Sequence, residues 1–265
     1  MRVLQSELWL DFPPQARAMY QIARGTKRHF FDYFYRGRPL NPLIVSFSGI
    51  DGAGKSTQIQ KLREYLASHG VAVKELTFWD NVVMFPGLRA GFSRRVLQSD
   101  GRVGTPETPA ERRDKNTQNA ALWLGRSVLY ILDVLSLRRI FNQAKAENSG
   151  VVIFDRFIYD QLAALPMRAR WARSFSRLLL RIAPRPDLAY VLDADPEVAR
   201  ARKPEYPLEF MQVYRSSYLE LRKMAPLQLI EPGEIGEVHQ AIVDRFRDCV
   251  LQKELASTAE QAVAA

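Results

Sequence analysis

The sequence predicts an α/β fold in which a parallel five-stranded sheet carries helices on both faces. Short apolar, β-branched runs alternate along the chain with stretches of helical periodicity, the pattern of a doubly wound sheet. The first run, Leu43-Ile44-Val45-Ser46-Phe47, feeds a glycine-rich loop that opens a helix. A later run, Val151-Val152-Ile153-Phe154, ends in Asp155-Arg156. Charged side chains there lie at the carboxyl end of a strand, where open α/β sheets place their ligands.

Residues 1–42 precede the first strand and read as a basic, aromatic-rich N-terminal extension. Between Gln15 and Arg38 it mixes Arg17, Arg24, Lys27, Arg28, Arg36 and Arg38 with Tyr20, Phe30, Phe31, Tyr33, Phe34 and Tyr35. Aromatics packed on the main domain, an anchor on an anionic membrane surface or a partner, and stacking on single-stranded nucleic acid all fit this composition, nucleic acid least well.

The loop Gly49-Ile50-Asp51-Gly52-Ala53-Gly54-Lys55-Ser56-Thr57 has both glycines and the Lys-Ser pair of a phosphate-binding P-loop, and its strand and helix stand on either side. Glycines let the backbone turn tightly and approach phosphate without a Cβ in the way. Loop N–H groups and the helix N-terminus then face an anion. Lys55 supplies a cation for the outer phosphates, and the Ser56 hydroxyl suits magnesium. In the helix behind the loop, Ile59, Leu62 and Leu66 recur at helical spacing, and Gly70 is placed to end it. With the P-loop in place, the fold class sharpens to the three-layer P-loop NTPase fold, its kinase domain spanning 43–250.

Val71–Leu76 reads as the second strand. Residues 80–115 lose periodicity, are rich in Gly, Pro and Arg, and read as a cover over the acceptor side. From Asn116 to Lys145 the pattern is helical, with Leu124, Val128, Ile131 and Leu135 in one apolar stripe. Arg126 lies off that stripe, either solvated or aimed into a cleft. Asp155, at the end of the third strand, can hold magnesium directly or through water. Trp171–Ile182 is an amphipathic helix, and Leu188–Leu192 is the fourth strand. Asp195-Pro196 reads as an N-cap with proline in the first turn. A helix carrying Arg200 and Arg202 follows, then one through Phe210, Tyr214, Tyr218 and Leu221, a fifth strand at Leu227–Ile230, and a last helix through Val238, Ile242, Phe246 and Val250. Residues 251–265 read as a flexible, alanine-rich tail.

At 265 residues the chain can bury a full core. The net charge of +9 suits an anionic partner. No run has the length of a membrane span, and Glu7 and Asp11 behind Met1-Arg2 do not fit a secretory signal. A single cysteine, Cys249, fits a reducing, cytoplasmic setting. The three histidines form no ligand-spaced cluster.

Taken together, Phe47–Gln58, Val152–Phe157, Pro186–Val198 and Phe210–Leu221 resemble the thymidylate kinase family of nucleoside-monophosphate kinases. The resemblance runs in order over about residues 43–250. It implies ATP, Mg2+ and transfer of the γ-phosphate to an acceptor phosphate, with thymidylate the default acceptor and a homodimer the expected assembly. It implies Lys55 on the transferring phosphate, Ser56 and Asp155 at the metal, and Arg156 on the acceptor phosphate. Asp51 would face the acceptor sugar, Arg200 and Arg202 would be lid cations, and Arg126 would belong to the acceptor site. The chain departs from the family on the acceptor side. Thr77-Phe78-Trp79-Asp80-Asn81 stands where the family has Arg-Glu-Pro-Gly, Ala164-Leu165 replaces a Tyr-Gln pair, and Val128 replaces a glutamine. The lid between Arg202 and Glu209 is short. Kinase action on another small metabolite, and nucleotide-driven regulation without transfer, are the alternative functions.

Overall fold

The computed structural model describes residues 42–83, 120–147 and 150–264. Five strands form one wholly parallel sheet: β1 (Leu43–Ser48), β2 (Val73–Thr77), β3 (Val151–Asp155), β4 (Leu188–Leu192) and β5 (Leu227–Ile230). Their spatial order is β2-β3-β1-β4-β5. The central pair, β1 and β3, is in register from Leu43 opposite Val151 to Phe47 opposite Asp155. That register brings Asp155 to the same level as the start of the glycine loop.

Each central strand divides its side chains between two cores, as the two-residue repeat of a strand requires. Leu43, Val45 and Phe47 meet Ile59, Leu62 and Leu66 of α1 (Lys55–Ser68) and Ile242, Val243 and Phe246 of α7 (Ile235–Ala264). Tyr190 of β4 lies in the same layer and donates its hydroxyl to the Ile242 carbonyl at 2.9 Å. The opposite layer takes Ile44, Val152, Phe154, Ala189 and Val191. Its helices are α2 (Ala120–Ala146), α3 (Ile158–Ala163), α4 (Arg170–Ile182), α5 (Pro196–Arg202) and α6 (Leu208–Arg222). On this side β1 presents Ser46 and Ser48, both fully buried.

The elements form where the sequence places them, with informative exceptions. α1 ends as expected at Gly70, whose φ of 74° is left-handed, and the Val71 N–H closes back on the Leu66 carbonyl at 3.0 Å. Asp195 caps α5 by accepting from the Glu197 and Val198 N–H groups at 2.8 and 3.3 Å. The apolar stripe of α2 faces outward: Val128, Ile131 and Leu135 are 48%, 39% and 51% exposed. The buried face carries Tyr130, Val134, Leu137 and Phe141 together with Ser127 and Asp133. This helix is apolar almost all round, so its sequence offers two competing faces. The polar side chains on the buried face are accommodated by hydrogen bonds such as that from Gln161 to Asp133. α7 continues beyond Val250 through the segment set apart as a tail, with Leu251 still buried. Its alanine- and glutamate-rich sequence has high helix propensity. The extension and most of the 80–115 segment lie outside the described residues. No helix among the described residues is long and apolar enough to cross a membrane.

Candidate active site

The loop between β1 and α1 is shaped by where its glycines sit. Gly52 has φ 83°, and a Cβ there would lie 2.2 Å from the Ala199 carbonyl oxygen of α5. Only glycine lets the loop pack against that helix. Gly54 has φ 86°, but a Cβ on it would meet nothing within 4 Å. It is the N-cap of α1, where no side chain caps the helix and the first turn holds no acid. The first N–H groups of α1 therefore have no side-chain cap, an arrangement that fits an oxyanion.

Lys55 begins α1 and is only 7% exposed. Its ammonium donates to the Gly49 and Ile50 carbonyls at 2.9 and 2.8 Å and lies 3.9 Å from the Asp51 carboxylate. Burial lowers its pKa to about 8, and the Arg156 cation pushes in the same direction. Both effects disfavour charge on Lys55 until an anion arrives.

Asp155 ends β3. Its Oδ1 is buried and accepts no hydrogen bond among the described residues. Burial raises its pKa, against the opposing pull of Arg156 and Lys55. A buried carboxylate oxygen without a donor fits a hard cation. The Ser56 hydroxyl, exposed in the first turn of α1, offers a second oxygen ligand. These two residues would hold magnesium.

Arg156 follows directly, with a φ of 67° that is left-handed and rare for a residue with a Cβ. Its N–H donates to the Phe47 carbonyl at 2.9 Å, so the turn is fixed to β1. Its guanidinium bridges two carboxylates, Asp51 of the loop and, at 3.3 Å, Asp160 of α3. Burial opposes its charge, yet Asp160 and Asp51 outweigh burial and hold the group above its ordinary range. Burial likewise pushes the Asp51 carboxyl up, but Arg156 and Lys55 prevail and it lies below its ordinary value. Lys203, just past α5, adds to that lowering.

Of the residues singled out in the sequence, Asp51, Lys55, Asp155 and Arg156 converge at the carboxyl ends of β1 and β3, with Gly49, Gly52, Ala53, Gly54, Ser56 and Thr57 framing them. Arg200 is half-buried with its Nε buried and unbonded among the described residues, and Arg202 is exposed. Both ride on the helix that packs against Gly52. Arg126 sits on α2, donates from Nε to the Tyr130 hydroxyl at 3.0 Å and lies 5.4 Å from the centre of that ring. No contact among the described residues joins it to Asp51 or Arg156. Asp160, Tyr218 and Lys203 were not anticipated as site residues. Asp160 did carry a local signal, an acid in the first turn of the helix that follows the Asp-Arg pair. Nothing local in the sequence marks Tyr218.

On the acceptor side the departures have structural counterparts. Leu165 is buried in the core. Phe78–Val82 forms a single π-helical turn, closed by the Val83 N–H on the Phe78 carbonyl at 3.1 Å. The Asn81 side chain accepts from the Thr77 N–H at 2.7 Å. Phe78 is buried by this turn and Trp79 is 40% exposed at the end of β2, where Thr77 pairs with Asp155.

No family model matches the chain. Among curated proteins it is 28% identical to a probable thymidylate kinase of Methanosphaera stadtmanae over 191 residues, which is 68% of this chain and 84% of that protein. It is 26% identical to a probable thymidylate kinase of Archaeoglobus fulgidus over 185 residues, covering 67% and 81% of the two chains. It is 31% identical to the thymidylate kinase of Chlorobaculum tepidum, covering 61% and 66%. The crystal structure of thymidylate kinase from Ehrlichia chaffeensis superposes with a TM-score of 0.51 at 18% identity, over 78% of this chain and 99% of that one. The Candida albicans thymidylate kinase gives 0.53 at 16% identity, over 79% and 94%. By sequence this chain is a distant homologue of the thymidylate kinases over most of its length, and it shares their fold.

Proposed function

We propose that the protein transfers the γ-phosphoryl group of ATP to the phosphate of a nucleoside monophosphate or a closely related small acceptor. The observation that carries this reading is the convergence of Lys55, Asp51, Asp155 and Arg156 at the ends of β1 and β3, beside an uncapped helix N-terminus. Phosphoryl transfer needs little covalent chemistry from the protein and much positioning and charge neutralisation. The loop N–H groups cradle the donor phosphates. Lys55 leaves the Gly49 and Ile50 carbonyls for the phosphate oxygens, and Arg156 faces the acceptor phosphate. Asp51 orients Arg156 and stands at the acceptor's sugar. Ser56 and Asp155 would hold magnesium, which when bound neutralises charge on the donor phosphates. Arg200, Arg202 and Lys203 approach from the α5 side and exclude water as the short lid closes.

A specific observation favours an acceptor other than thymidylate. At the positions where the resemblance expects polar base-reading groups, Leu165 is core, Val128 is exposed on α2, and the π-turn presents Trp79. A site without base-edge hydrogen bonds loses selectivity for that base, whereas an aromatic face accepts many rings.

The test is ADP release from Mg-ATP by the purified chain against a panel of nucleoside monophosphates, thymidylate first, with Lys55→Ala as control. Acceptor-dependent release that vanishes in the variant supports transfer. Nucleotide binding with no response to any acceptor favours a regulatory role.

A further inference from the structure

The carboxylate of Asp160 is fully buried and receives donors from four places in the fold. Ser48 at the end of β1 donates to Oδ2 at 2.6 Å, and the Phe157 N–H at the start of α3 donates to the same oxygen at 3.0 Å. Tyr218 of α6 donates to Oδ1 at 2.8 Å, and Arg156 donates to Oδ1 at 3.3 Å. The backbone of the same residue accepts from Tyr214, one turn earlier on α6, at 2.5 Å. Tyr218 also lies 3.4 Å from the carbonyl of Gly49, the first glycine of the loop. A helix cap needs only the Phe157 contact. The other three donors tie β1, the Arg156 turn and the helix after the lid to one anion.

From this geometry we infer that Asp160 is the positioning residue of the acceptor site, holding the Arg156 guanidinium in place and coupling it, through Tyr218, to the α6 side of the lid. The inference rests on the phosphotransfer reading for its functional consequence. Arg156 has two tethers. Asp51 belongs to the nucleotide loop, and a sugar hydroxyl of the acceptor would compete for it. Asp160 is buried behind the guanidinium, so it stays in place when the acceptor binds. A guanidinium held from behind keeps its fork open toward the incoming phosphate. α6 begins just after the segment 203–207, so a shift of the lid would reach Asp160 through Tyr214 and Tyr218.

All four groups around the carboxylate are donors, so Asp160→Asn conserves shape but turns an NH2 toward a donor. With Mg-ATP and the nucleoside monophosphate of the panel that gives the fastest ADP release, Asp160→Asn raises the acceptor KM at least about tenfold while the ATP KM stays within about twofold. In an Arg156→Ala background the same change adds nothing further to the acceptor KM. Tyr218→Phe, which removes one donor and keeps the ring, gives a smaller rise in the same direction. Parallel rises in both KM values, or an undiminished effect without Arg156, overturn the assignment and leave Asp160 a core tie.

A second readout does not need turnover. In the full chain labelled with 15N-arginine, the two Nη groups of Arg156, identified by their loss in Arg156→Lys, exchange at least about tenfold faster in Asp160→Asn than in the parent. Arg215, paired to Asp193 by two bonds of 2.6 and 2.7 Å, serves as the unchanged control. Unchanged exchange at Arg156 defeats the inference even if activity falls. A parent protein with no acceptor-dependent ADP release defeats the phosphotransfer reading instead, and the exchange rates still decide whether Asp160 holds Arg156.

Discussion

Around Lys55 the site is made of backbone: two glycines in left-handed conformations, an uncapped helix N-terminus and two loop carbonyls that hold the ammonium. Around Arg156 it is made of side chains: the neighbouring Asp160 and, from distant parts of the chain, Asp51, with Ser48 and Tyr218 behind them. The first kind of site is written in nine consecutive residues. The second exists only once β1, β3, α3 and α6 are packed. Backbone sites tolerate little change in sequence, whereas a side-chain site can be rebuilt for a new ligand residue by residue, and it is on the acceptor side that the sequence departs from the family pattern it resembles.

The largest expected effect tests the backbone side. Lys55→Ala lowers turnover by about 10³, or about 4 kcal/mol of transition-state stabilisation, measured as ADP release at saturating ATP. Next is Arg156→Ala, which raises the acceptor KM by on the order of 10² and leaves ATP binding nearly intact. Equal losses of ATP and acceptor affinity would erase the distinction between the two halves. Third, the two loop glycines separate. Gly52→Ala puts a methyl into the Ala199 carbonyl and costs about 2–3 kcal/mol in denaturant unfolding. Gly54→Ala meets open space and costs about 1 kcal/mol, the left-handed backbone alone. The smallest effect is a proton count. Burial, with help from Arg156, holds Lys55 at a pKa of about 8 in the free protein. Above that pH the free amine is mostly neutral, and bound phosphate favours the ammonium, so nucleotide binding takes up a proton. Uptake is near zero at about pH 7 and approaches one at about pH 9. Calorimetry in buffers of different ionisation enthalpy reads it, and Lys55→Met removes it.

The sequence made the strands legible because the central ones are buried on both faces and read as unbroken β-branched runs. β4 and β5 begin and end where the apolar runs do. β2 starts two residues later than its apolar run: Val71 is already buried beneath α1, but pairing with β3 begins at Val73. The P-loop was legible because its conformation is local. The packing face of α2 was not, since Val128, Ile131 and Leu135 are as apolar as the side chains that face inward. The sequence does not mark Asp160 and Tyr218 as site residues because they are 58 residues apart and meet only through the fold. The π-turn at Phe78–Val82 has no sequence signature of its own; it joins the buried Phe78 to an exposed Trp79.

The left-handed backbone at Arg156 sets stability against activity at a single codon. Glycine would relax that φ of 67° and is worth roughly 1 kcal/mol to the turn itself. It would also leave Asp51 and Asp160 facing each other without their shared cation, a like-charge arrangement that destabilises both carboxylates. Selection for a sturdier turn alone would therefore have to remove the acids along with the arginine. A thermostabilised variant of this protein is better sought on the outward face of α2 than at the end of β3.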